Sequence, residues 1–135
     1  MKSKIVMTAS AVLLVGGGLA LSFLPQETAV ALGLGSAPMA VLLLQMLSGA
    51  LLGVGFMNWL SRGKPMGGIY SRPLALQNFV LFGVGAIALD RAALRGAMLP
   101  AVHLTSVAFT VFAGAFGWLM FLHDPVADAQ RNPQP

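Results

Sequence analysis

Four uninterrupted apolar stretches of roughly 20 residues run through this chain, each the length a helix needs to cross a bilayer core of about 30 Å. They cover about residues 5–24, 39–60, 74–90 and 99–122. Only 9% of the 135 residues are charged and 57% are hydrophobic, whereas a water-soluble domain carries about 25% charged residues. Too few ionic groups exist to clothe one core in water, so lipid is the expected solvent. Soluble enzyme and DNA-binding folds are excluded on that ground. The expected fold is all-α: a transmembrane four-helix up-and-down bundle formed by residues 1–123 as a single domain, with 124–135 as a polar, flexible C-terminal tail.

The breaks between the stretches carry recognisable signals. Lys2 and Lys4 precede the first stretch and Pro25, Gln26 and Glu27 end it. Its apolar run is longer than that of a cleaved signal peptide, and no small-x-small site follows directly, so a retained helix is expected. Gly33, Gly35 and Pro38 punctuate residues 25–37, in which Thr28 to Leu34 form one or two turns at the interface. Pro38 and Pro100 take the tolerated first-turn position of the second and fourth spans, and Ser71 with Pro73 marks the start of the third. Residues 61–73 hold two prolines and glycines that stop a helix. Asp90 to Gly96 reads as a short polar turn.

Six basic residues, Lys2, Lys4, Arg62, Lys64, Arg72 and Arg131, fall on one side of such a bundle, and only Arg91 and Arg95 on the other. The positive-inside rule then places both termini and the 61–73 loop in the cytoplasm. The formal charge of +4 is thus read as a topology signal and not as a nucleic-acid footprint. Trp59, Tyr70 and Trp118 fit an interfacial aromatic belt.

Helices associate in lipid through close approach at small residues, because apolar side chains gain little by leaving an equally apolar solvent. Gln45, Gly49 and Gly53 share one stripe of the second span, and His103, Thr110, Gly114 and Gly117 lie within about 40° of a common direction on the fourth. Gly49, Gly53, Gly114 and Gly117 are the expected packing positions. Phe109, Phe112 and Phe116 lie on the opposite side and are expected to face lipid or a neighbouring subunit.

Gln45 and His103 differ by about 6 Å in depth when counted from Pro38 and Pro100. They form either a small polar binding site with Asp90 or Arg95 at its rim, or a buried histidine satisfied by an amide that fixes helix register. Asn58, Gln77 and Asn78 make a second polar group at the cytoplasmic level, as helix-end caps or as ligand contacts. Arg62, Lys64 and Arg72 are candidates for anionic lipid head groups, at about 1 kcal/mol per basic residue near such a surface.

The catalogue of chemistry is short. Glu27, Asp90, Asp124 and Asp128 all read as lying at span ends or in loops, which leaves no intramembrane carboxylate for cation coupling. Two histidines 20 residues apart and no cysteine encode no zinc, iron or haem site. No catalytic residue, cofactor or metal is expected, and the chain is read as a non-enzyme.

The first helix ends in Phe23-Leu24-Pro25, a leucine-glycine connection follows, and a glycine-rich second helix, Ser48-Gly49-Ala50-Leu51-Leu52-Gly53-Val54-Gly55-Phe56-Met57-Asn58-Trp59, leads into a basic loop. In this order of features the chain resembles small, mostly bacterial four-span membrane proteins of unknown function. The resemblance implies a multi-pass protein of the bacterial cytoplasmic (inner) membrane and carries no particular activity. The expected role is an accessory or scaffold component whose partners are membrane lipids, a second copy or a larger membrane complex. The alternative is a binding or carrier protein for a small lipophilic molecule, a quinone or lipid, held near Gln45 and His103.

Overall fold

The computed structural model describes residues 2–63, 71–95 and 100–121. It is all-α, with helices α1 (Lys2–Phe23), α2 (Pro25–Ala31), α3 (Pro38–Ser61), α4 (Ser71–Leu94) and α5 (Pro100–Phe121), and no strand among the described residues. Four of them, all but α2, are long and apolar enough to cross a membrane. The 22 residues of α5 rise about 33 Å and the 24 of α3 about 36 Å, against a hydrocarbon core of about 30 Å. The chain therefore has the build of a multi-pass membrane protein. Lys64 and Tyr70 in the basic loop, and the tail with His123 and Arg131, lie outside the described residues.

The boundaries follow from local chemistry. Leu24 still donates to Ala20 at 2.9 Å, but Pro25 has no N–H to give, so α1 stops and α2 restarts at once. The Thr28 hydroxyl closes back on the Leu24 carbonyl at 2.7 Å. At the far end of α2 the N–H groups of Gly33 and Leu34 reach the carbonyls of Val30 and Ala29, both at 2.9 Å, which is a Schellman closure. It requires the left-handed backbone that Gly33 adopts at φ 73°, open only at a cost to a residue with a Cβ. Ala37, extended at ψ 127° as the residue before a proline, launches α3.

The third span corrects an expectation. Asp90 does not open a turn: α4 continues a full turn further, to Leu94. Ala92, Ala93 and Leu94 are strong helix formers and a charged pair does not stop a helix, so polarity alone misplaces this end.

Contacts gather the chain into two compact units, Met7–Arg62 and a second formed by Met1–Val6 with Gly63–Pro135. In the first, α1 and α3 run antiparallel. A Cβ on Gly18 would stand 3.1 Å from the Leu52 backbone nitrogen, and one on Gly55 3.0 Å from that of Val15. Buried residues on α3 step 44, 48, 51, 55, 58, and on α1 Met7, Ala11, Leu14 and Gly18 keep the same alternation of four and three. That is the narrow seam along which two membrane helices pack closely.

In the second unit α4 and α5 pair antiparallel through aromatic rings. Phe82, fully buried, lies 5.1 Å from Phe109, 5.0 Å from Phe112 and 5.8 Å from Phe116, ring centre to ring centre. Phe109 occupies the gap at Gly85, where a Cβ would meet the ring at 2.5 Å, and Phe79 lies over Gly117. The expectation that Phe109, Phe112 and Phe116 turn away from the neighbouring helix is overturned: Phe116 is 0% exposed and the other two are half-buried. Gly117 does pack, but Gly114, like Gly49 and Gly53 on α3, faces open space. The reason is that rings and glycines complement each other across helices. A glycine on α4 is a socket for a phenylalanine on α5, so the phenylalanines occupy the seam that the small residues were expected to fill.

Candidate functional site

The polar side chains inside the spans gather within each hairpin. In the first unit Ser10 and Asn58 are both 0% exposed. The Ser10 hydroxyl donates to the Met7 carbonyl at 3.0 Å and accepts from the Asn58 amide at 3.0 Å. Asn58 thus bonds across the α1–α3 seam, four residues short of the Arg62 cap. Ser48 donates to the Gln45 carbonyl at 2.9 Å, a bond within one turn. Between membrane helices a side-chain hydrogen bond is worth about 0.6 kcal/mol on average. A double-mutant cycle on Ser10→Ala and Asn58→Leu, read by unfolding in mixed micelles, should return a coupling of that order; additive effects would remove the bond from the account.

In the second unit Asn78 is 0% exposed, and its amide donates to the Leu74 carbonyl at 2.9 Å. Leu74, Asn78, Phe82, Ala86 and Asp90 recur every four residues and form a row that winds gradually round α4. At its end the half-buried Asp90 carboxylate meets α5. One oxygen accepts a hydrogen bond from the buried Ser106 hydroxyl, and the other lies 3.4 Å from the Thr110 hydroxyl. Asp90 is four residues from the end of its helix and Ser106 six from the start of its own, depths of about 6 and 9 Å. The apolar span of α4, Arg72–Leu94, contains this carboxylate. Asp90 is thus helical, one turn before the end of α4, and not part of a turn.

The remaining candidates are distributed differently. Gln45 and His103, on different units, are both exposed, and neither side chain has a hydrogen-bond partner among the described residues. Gln77 is exposed beside buried Asn78, and Arg72 is exposed. Arg62 folds back on its own helix: a guanidinium nitrogen donates to the Trp59 carbonyl at 2.6 Å and the group sits 3.8 Å over the indole. The hydrogen bond caps α3, and the cation–π contact fits an interfacial anchor. No cluster of three or more potential metal ligands occurs among the described residues.

Sequence reasoning missed Ser10 and Ser106, and placed Asp90 only at a rim. Two signals were present. Asp90 completes the four-residue series from Leu74, and Ser106 with Thr110 stands one turn apart at matching depth across the short 95–99 connection.

Taken together, the helices define a multi-pass, all-α protein whose intramembrane polar groups are arranged inside hairpins. Comparison with protein-family models, curated proteins and solved structures finds no match.

Proposed function

We propose that this chain is a non-catalytic accessory or scaffold component of the bacterial cytoplasmic membrane, an up-and-down four-helix bundle with both termini in the cytoplasm. The observation that carries the reading is how little of each span is buried among the described residues. Within the most apolar window of each of the four spans, only 17–28% is buried. The uncovered surface is apolar, with Leu43, Met46, Val84, Ile87, Leu104 and Val111 all exposed, and it is suited to contact with lipid and with other membrane helices. Gly49 and Gly53 on α3 and Gly114 on α5, open on their outer sides, would let a further backbone approach closely. Orientation rests on the six-to-two distribution of basic residues. A carrier role centred on Gln45 and His103 has no observation in its favour, since each side chain is exposed.

The test is crosslinking in native membranes followed by purification in mild detergent. The wild-type chain is expected to carry a stoichiometric companion, a second copy or another polypeptide. Replacing Gly49, Gly53 and Gly114 by leucine should remove it and leave thermal stability unchanged, because a Cβ at these positions meets nothing among the described residues. A wild-type protein that emerges only as a lone monomer with lipid would refute the accessory reading.

A further inference from the structure

We draw no further inference here: the strongest candidate, the outward stripe of α3 on which exposed Gln45 stands in line with Gly49 and Gly53, carries nothing because it is an unpartnered face of small residues and nothing in the structure shows what covers it.

Discussion

Replacing Phe82 by alanine should destabilise the second hairpin by about 3–5 kcal/mol, the range for removing a fully buried phenylalanine from a close-packed site. Its ring is 0% exposed and touches Phe109, Phe112 and Phe116, the last two nearly parallel to it at 24° and 8°. Lipid does not drive such rings inward. The loss is therefore one of dispersion contacts and ring geometry, which no repacking of small neighbours restores. Phe121→Ala is the matched control. That ring is 69% exposed and makes one edge contact, with Phe79 at 5.9 Å, so its removal should cost about 1 kcal/mol or less. Equilibrium unfolding of both variants in mixed micelles reads the difference directly. Equal effects would mean that the aromatic cluster does not hold α4 to α5.

The second large effect contrasts two glycines of α3 that are two positions apart. Gly55→Val should separate α1 from α3, because a Cβ there would stand 2.8 Å from the Val15 side chain and 3.0 Å from its backbone nitrogen. A flexible side chain can move aside but backbone cannot. The cost should reach or exceed the 1–3 kcal/mol typical of overpacking. Gly53→Val places the same side chain where nothing lies within 4 Å, and stability should hardly change. The hairpin's helix contact, read by crosslinking between α1 and α3 as well as by unfolding, should be lost only in the first variant. If Gly53→Val proves the more damaging, the seam has been placed on the wrong face of α3.

These two pairs show where sequence reasoning succeeds and where it stops. Span positions were legible because a charged or strongly polar residue within hydrocarbon carries a large penalty, and the placements of Pro38 and Pro100 agree with the observed starts of α3 and α5. Facing was not legible. In water an apolar residue on a helix points to the core, but in lipid both sides of a helix are apolar, so Phe116 and Val111 look alike until the neighbouring helix is known. The stripe His103, Thr110 and Gly114 seemed suited to an interior by the small-residue argument. That argument sees one helix at a time and misses that Gly85 of α4 is the socket for Phe109. Asp90 was hidden for another reason: next to Arg91 and near Gly96 it has the local signature of a loop, and only the continued helix to Leu94 carries it into the span.

Membrane threading is the claim on which the rest stands, and the chain offers a clean way to examine it because it has no cysteine. Single substitutions Ser3→Cys, Ser36→Cys, Gly63→Cys, Arg95→Cys and Ala127→Cys, probed with a membrane-impermeant maleimide in intact and in inverted vesicles, report the side of each site. Four crossings with cytoplasmic ends predict that positions 3, 63 and 127 react only from the cytoplasmic side, and 36 and 95 only from the opposite one. Reaction of positions 3 and 127 from opposite sides, or of all five from one side, would contradict the account.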